Sequence, residues 1–571
     1  MRIVIVGGVA SGVTAATRLK RLMEDASVVL FERSDRISLA NCALPYYAGG
    51  IVRRQRLFAA SAEGIAAQYD IDVRERQEVV SIDRAARTVR VKNLVDGSQY
   101  DEPYDALILA TGAQARMLPI PGLAENAVPL WRSEDAIRLE EKLSSTPGCR
   151  VGIMGGGAVG LEAAENVVLR GGTVDLYEYG RTVMGRNDEG LSNAFVRLAM
   201  SKSAALRIHT QTSITQVVRL ESGELELKLS DGTAQTVDYL ISAAGVEPRS
   251  TLAKEAGLEM GPRGTIAVDG FLRTSDPAIF AVGDVAATPD PLTGELRAMM
   301  LAGAAVKEGR KAASVIAGVS KTPMPGGFCA NAVSLMGTLW ASTGKSEQAL
   351  INDGLTPNKD FFRATVIGRN HVSWFPGSAE LIVKVLFDPA GRILGAQAMG
   401  RDGADKRIDV ISTAIRFGAS VRDLSELDLI YCPQTGSPKD PVNTAGHIAE
   451  NILDGLVRFI EPAELRALLK GESPELGVDP EALKRLTILD VREPEEIADD
   501  PFPGKVLDIA LGEMRERLDE VPADHAVVIV CRSAVRAYVA ARILSQREAS
   551  GPVFVLTGGM LYWHRTAPLA H

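Results

Sequence analysis

The chain has 571 residues, a formal net charge of −9, 46% hydrophobic and 24% charged residues. At roughly 100–200 residues per domain this length calls for about three to five domains of ordinary soluble composition. The acidic balance, with no long basic run, excludes nucleic acid as a main partner, and no apolar run approaches the ~20 residues of a membrane span.

MRIVIVGG enters a β-strand at once, leaving no room for a signal peptide, so the expected location is the cytoplasm. MRIVIVGGVASGVTAATRLKRL reads as strand, glycine turn and amphipathic helix, and ASVVLFERS as a second strand ending in Glu32. The turn GGVASG keeps Gly7 and Gly12 but has Val9 where a dinucleotide fingerprint has its second glycine. SLANCALPYY follows, with Cys42 between Asn41 and two tyrosines. YDALILATGAQ adds a strand into a turn at Thr111 and Gly112.

RVGIMGGGAVGLEAAENVVLRGGTVDLYEYG repeats the strand–turn–helix–strand plan. Here Gly155, Gly157 and Gly160 complete GxGxxG, and Glu178 closes the second strand. The first glycine permits the turn, the second lets the backbone meet a pyrophosphate, and the third lets helix pack on strand. A carboxylate at Glu178 accepts from a ribose 2′-hydroxyl and repels a 2′-phosphate, which favours NADH over NADPH. Two such units about 150 residues apart predict two nucleotide-binding domains. TSDPAIFAVGDVA reads as a strand ending on Asp284. With Glu32, ATGA, Gly283 and Asp284 in these places, the first domain is expected to hold a flavin, its ribityl hydroxyls donating to Asp284.

From about residue 324 the pattern becomes that of an antiparallel sheet: AVSLMGTLWAST, FRATVIGRN, SAELIVKVLFD and GRILGAQAMG. The helices DKRIDVISTAIRFG and NTAGHIAENILDGL follow. Beyond about residue 456, EPAELRALLKG reads as a helix, RLTILDVRE and HAVVIVCRS as strands, SAVRAYVAARILSQ as a helix, and GPVFVLTGGMLYW as a strand and closing glycine turn. About 115 residues in α/β alternation make one small domain. The five cysteines, Cys42, Cys149, Cys329, Cys432 and Cys531, are scattered and odd in number, with no CxxC pair. Neither a disulfide framework nor a zinc site fits them.

The order of first βαβ unit, SLANCALPYY, second βαβ unit, AVGDVA and a closing α+β domain resembles the pyridine nucleotide–disulfide oxidoreductases. DKRIDV and KDPVNTAG narrow the likeness to the coenzyme A–disulfide reductase and NADH-dependent persulfide reductase branch, where a residue such as Val9 is accepted. The resemblance covers residues 1 to about 452. LTILDVREPEE, VVIVCRSAVRA and LTGGMLYW resemble a single rhodanese domain. Together they imply an α/β chain with two Rossmann-like domains, an FAD-binding domain at 1–149 and 246–323 and an NADH-binding domain at 150–245. An α+β dimerisation domain at 324–455 and an α/β rhodanese-like domain at 456–571 complete it.

The larger family uses a CxxxxC pair, whereas Cys42 has no partner before Cys149. Its redox partner is then a sulfur from outside, such as coenzyme A or a persulfide, or an oxygen-derived species on itself. Asn41 and Ser38 are expected to bind the sulfur or steady a thiolate of lowered pKa. The resemblance further implies a homodimer acting on a small persulfide or disulfide, Arg18 and Arg21 on coenzyme A phosphates, and Tyr431 as proton donor to a leaving thiolate across the dimer. A second tyrosine expected in a YYPG turn is replaced: SWFPG places Trp374 and Phe375 there. In the rhodanese-like segment Cys531 is the expected sulfane-sulfur carrier, with Arg536 and the loop N–H groups favouring its thiolate. Ala534 stands where this loop often has glycine. The competing functions are an NADH oxidase or peroxidase using a cysteine sulfenic acid, and a flavin-bearing redox sensor.

Overall fold

The computed structural model describes residues 1–185, 187–547 and 551–569. It divides into two compact units, Met1–Tyr177 with Ala205–Arg207 and Thr212–Cys329, and Glu178–Ala204 with Ile208–Gln211 and Ala330–His571.

The first unit holds two parallel sheets. One runs Ile279–Ala281, Ala106–Leu109, Arg2–Val6, Ser27–Glu32, Asp72–Glu75. The central strands of the other run Thr173–Tyr177, Arg150–Met154, Tyr239–Ser242, Ala127–Val128. Ile3–Val6, Val28–Phe31 and Ala106–Leu109 are buried along their whole length, as parallel strands covered on both faces must be. Each central strand feeds a glycine turn and then a helix, Ala10–Leu22 in one sheet and Ala158–Leu169 in the other.

The second unit contains an antiparallel sheet in the order Asn331–Leu335, Thr338–Gly344, Ile393–Gly400, Glu380–Phe387, Phe362–Arg369. Helices Ala404–Arg416 and Pro441–Leu453 follow it. A parallel sheet closes the chain: Phe459–Ile460, Val553–Leu556, Ala526–Val530, Leu486–Asp490, Leu507–Asp508. The last glycine pair does more than turn: Gly558 caps a further helix, Gly559–Arg565, which periodicity did not anticipate because only two short turns remain. Similarly the strand expected to reach Asp284 ends at Ala281, and Asp284 lies in a 3-10 turn, Gly283–Val285.

Lys384 interrupts the apolar strand Glu380–Phe387 and is 3% exposed. A charge there needs partners. Its Nζ donates to Glu347 Oε2 at 2.6 Å and lies 3.1 Å from Asp188 Oδ2. Glu347 Oε1 accepts from Arg363 at 2.8 Å, and Arg363 donates at 2.6 Å to Glu464 on helix Pro462–Leu469. This buried relay joins the antiparallel sheet to the closing α/β segment.

Candidate active site

Two glycine cradles are built alike. Gly7 and Gly155 have φ of +112° and +107°, and a Cβ on either would strike a carbonyl of the neighbouring strand's exit, Ala110 or Ala243. A Cβ on Gly12 or Gly160 would strike the carbonyl of Gly7 or Gly155. These four positions are glycine for steric reasons. The middle position differs. Val9 has φ −106° and caps helix Ala10–Leu22 in ordinary extended geometry, whereas Gly157 faces open space at its own helix start.

Glu32 is buried and closes the first cradle. Its Oε2 accepts from Gly8 N and its Oε1 from Ser34 N, both at 2.8 Å. Ser38 adopts φ +59° and its N–H donates to the Gly8 carbonyl at 2.7 Å, so the segment leading to Cys42 is tied to the glycine turn. Thr111 Oγ1 donates to the Arg249 carbonyl at 2.7 Å, and Arg249 N donates to the Gly112 carbonyl at 2.9 Å. The Arg249 Nε is buried with no protein partner. Burial and the charges of Arg33 and Arg132 push its guanidinium down to about 10. A cavity of about 740 Å³ opens beside it, lined also by Trp131, Arg132 and Lys142. An orphaned guanidinium nitrogen near Glu32 is a group that a phosphate-bearing cofactor satisfies. Together with the cradle around Gly7 and Gly12, it shows that the residues present fit FAD.

Glu178 follows the strand of the second cradle, and its Oε1 accepts from Gly180 N at 2.7 Å.

Cys42 lies in the 3-10 turn Asn41–Ala43, immediately before helix Leu44–Ala48, and is exposed. No neighbouring cysteine is paired with it. The expected lowered thiolate pKa is not what these surroundings give. Packing around the sulfur raises the thiol, and the carboxylates of Glu162 and Asp284 raise it further. Asn41 Nδ2 donates to the Trp131 carbonyl at 3.1 Å. Sequence reasoning missed Glu162, on helix Ala158–Leu169, and Tyr46, whose hydroxyl donates to Glu162 Oε1 at 3.3 Å. Burial and Glu162 lift Tyr46 to about 12. Tyr46 stands four residues after Cys42 on contiguous helical turns, a spacing that places them on one face.

Asp284 is raised to about 6 by burial alone. Glu308, on helix Ala302–Ile316, accepts from Gly283 N at 2.7 Å and is 2% exposed. Nothing in the helix pattern distinguished it from a surface charge. On the outer face of the first helix, Arg18 Nε reaches Ser314 Oγ at 3.5 Å, and burial with the charges of Arg310 and Arg21 lowers its guanidinium. Arg21 lies over the Tyr69 ring at 5.7 Å. Three cations that repel one another are the arrangement an anionic ligand relieves, and Arg310 was not anticipated.

In the second unit Tyr431 is 46% and Trp374 70% exposed. The loop carrying Tyr431 is anchored at both ends. Before it, Asn443 Nδ2 donates to the carbonyls of Leu424, Ser425 and Leu427. After it, Asp440 accepts from Arg407 at 2.7 Å and caps helix Pro441–Leu453 through Val442 N at 3.0 Å. Arg407 also donates to the carbonyls of Gly403 and Asn370. Val372 N donates to the Gly436 carbonyl at 3.1 Å, which couples this loop to the one bearing Trp374 and Phe375. Within DKRIDV and KDPVNTAG, Arg407, Asp440 and Asn443 thus act as scaffold.

Cys531 directly follows strand Ala526–Val530 and is buried, with Ala537 N donating to its sulfur at 3.4 Å. That N–H belongs to the first turn of helix Val535–Leu544, not to the loop before it. Arg536 forms a two-pronged pair with Glu496 at 2.6 and 2.8 Å, which spends most of its charge there and holds the Glu496 carboxyl at about 2. Ala534 adopts φ +73°.

Residues 1–309 match the family model described as pyridine nucleotide-disulphide oxidoreductase, 333–438 its dimerisation domain, and 464–566 a rhodanese-like domain. The chain is 29% identical over 455 residues to a coenzyme A disulfide reductase of Staphylococcus aureus, spanning 79% of this chain and 100% of that one. It superposes with TM-score 0.91 on the reduced Bacillus anthracis CoADR-RHD, at 34% identity over 99% of this chain and 98% of the other. A NAD-dependent persulfide reductase from A. fulgidus superposes with TM-score 0.87, at 31% identity over 99% and 100% of the two chains.

Proposed function

Because the chain belongs to the pyridine nucleotide-disulphide oxidoreductases, and carries a rhodanese-like domain, we propose that this FAD-dependent oxidoreductase uses NADH to reduce the sulfur–sulfur bond of coenzyme A persulfide, coenzyme A disulfide or a polysulfide through Cys42. The observation that carries the reading is one exposed, unpaired thiol on a turn tied to the first glycine cradle and within electrostatic reach of Asp284. When bound, FAD supplies two-electron transfer between nicotinamide and sulfur. Gly7, Gly12, Glu32, Thr111, Gly112, Gly283 and Asp284 hold it; Gly155, Gly157, Gly160 and Glu178 hold NADH.

The Cys42 thiolate attacks a substrate sulfur, forming a Cys42–sulfur bond as the substrate sulfur–sulfur bond breaks and sulfide or thiol leaves. Two electrons from NADH, with one proton from solvent for the departing thiol, cleave the new bond and restore Cys42. Because burial, Glu162 and Asp284 oppose the thiolate, Cys42 gives its proton to solvent before it attacks. Arg18, Arg21 and Arg310 bind coenzyme A phosphates. The protein acts in the cytoplasm as a homodimer in which Tyr431 of one protomer serves the cysteine of its partner, with Trp374 and Phe375 shaping the substrate's path without donating a phenolic proton. Cys531 carries sulfane sulfur for delivery to the reductase.

NADH oxidation by the purified flavoprotein is to be followed with coenzyme A persulfide, coenzyme A disulfide and polysulfide in turn. Cys42→Ser should abolish every one of these activities while FAD stays bound. Retained turnover in that variant removes Cys42 from the chemistry. Cys531→Ala should eliminate thiosulfate sulfurtransferase activity and leave NADH-dependent reduction of coenzyme A persulfide in place.

A further inference from the structure

A buried and a half-buried carboxyl group lie beside the first cradle. Asp284 lies in the 3-10 turn Gly283–Val285, and Glu308 reaches that turn from helix Ala302–Ile316. Glu308 is 2% exposed, and its Oε2 accepts from Gly283 N at 2.7 Å. The packing there leaves no slack. A Cβ on Gly309 would strike the Ser11 carbonyl, and one on Gly283 would come within 2.8 Å of Ser11 Oγ. First helix, turn and last helix of this unit therefore meet at Glu308.

Among the described residues of the two helices packed here, no cation is paired with either acid. On the first helix, Arg18 is engaged with Ser314, Arg21 lies over Tyr69, and Lys20 donates to the carbonyls of Glu24 and Ala26 and pairs with Asp70. On the helix of Glu308, Arg310 acts on Arg18, Lys311 donates to Ser320 and the Thr322 carbonyl, and Lys307 is exposed. The titratable group that faces Glu308 from the turn is Asp284. Burial and the neighbouring Asp284 both oppose a charge on Glu308, so its carboxyl favours the proton. Burial and Asp284 lift Glu308 to about 8, against about 6 for Asp284.

We propose that Glu308 is a positioning residue for FAD: buried behind the Gly283–Asp284 turn and bonded to Gly283 N, it fixes that turn so that Asp284 is the carboxylate offered to the cofactor. This rests on the reading that the first cradle binds FAD. A second negative charge at Glu308 would repel the pyrophosphate anion of the cofactor. Ionising Glu308 at alkaline pH therefore loosens the cofactor, and the neutral isostere glutamine removes that dependence.

The test follows FAD release, by flavin fluorescence, from the purified holoprotein between pH 7 and pH 9.5. In the parent the apparent dissociation constant rises towards tenfold per pH unit once pH exceeds about 8, the slope for one proton. In Glu308→Gln it stays within about threefold across the range and matches the parent at pH 7. The proposal is overturned if Glu308→Gln keeps the parent's slope, or if it loses FAD or fails to fold at pH 7, because glutamine reproduces the neutral form. No sulfur substrate enters the assay. A failed sulfur-reductase assignment leaves this result untouched, and the reverse also holds.

Discussion

Replacing Arg407 by methionine should be among the most damaging single changes in the second unit that touch no reacting group. The guanidinium is 1% exposed and donates to Asp440 at 2.7 and 3.3 Å and to two carbonyls. Methionine matches much of its length but leaves the Asp440 carboxylate, 3% exposed, without a counter-charge. Breaking a buried pair from one side costs about 3–5 kcal/mol. At about 2–4 °C per kcal/mol, a loss near 4 kcal/mol lowers the melting temperature of the unit by about 8–16 °C. Adding Asp440→Asn should restore roughly half or more of that loss. Asparagine is neutral and still accepts from Val442 N to cap the helix. Differential scanning calorimetry of parent, single and double variants measures both steps. An Arg407→Met variant within about 1 kcal/mol of the parent, or a double variant no better than the single, would refute the reasoning.

Glu162→Gln should bring the pH midpoint for iodoacetamide alkylation of Cys42 downward, because it removes a like charge that raises the thiol; an unchanged or higher midpoint contradicts the assigned cause. Ala534→Gly should raise the melting temperature of the closing α/β segment by a few degrees, since a left-handed φ costs alanine roughly 1 kcal/mol. A fall instead would mean that the loop is not strained at that residue.

The parallel strands were legible because they are apolar without interruption: RIVIV, SVVLFE and ALIL announce burial on both faces. The glycine turns were legible because steric demand leaves a fixed spacing, and Val9 showed which of the three positions is negotiable. The acids and bases that set the site's electrostatics were not. Glu162, Arg249, Glu308 and Arg310 sit on helices or turns whose local pattern suits any surface charge, and each meets its neighbours from segments far away in sequence. For the same reason the direction of the Cys42 shift was misjudged: Asn41, the adjacent residue, faces Trp131, while Glu162 and Asp284 arrive from 120 and 242 positions further on. Lys384 gave no hint that its counter-charges were Glu347 and Asp188.

The chain of charges from Asp188 through Lys384, Glu347 and Arg363 to Glu464 bears on how this protein can be divided. A polypeptide shortened to stop before Phe459 would strip Arg363 of the Glu464 carboxylate in a place water scarcely reaches. Excising the closing α/β segment is thus not a neutral trim: it takes away one of the two carboxylates that hold Arg363 and leaves the guanidinium to Glu347 and Asn358.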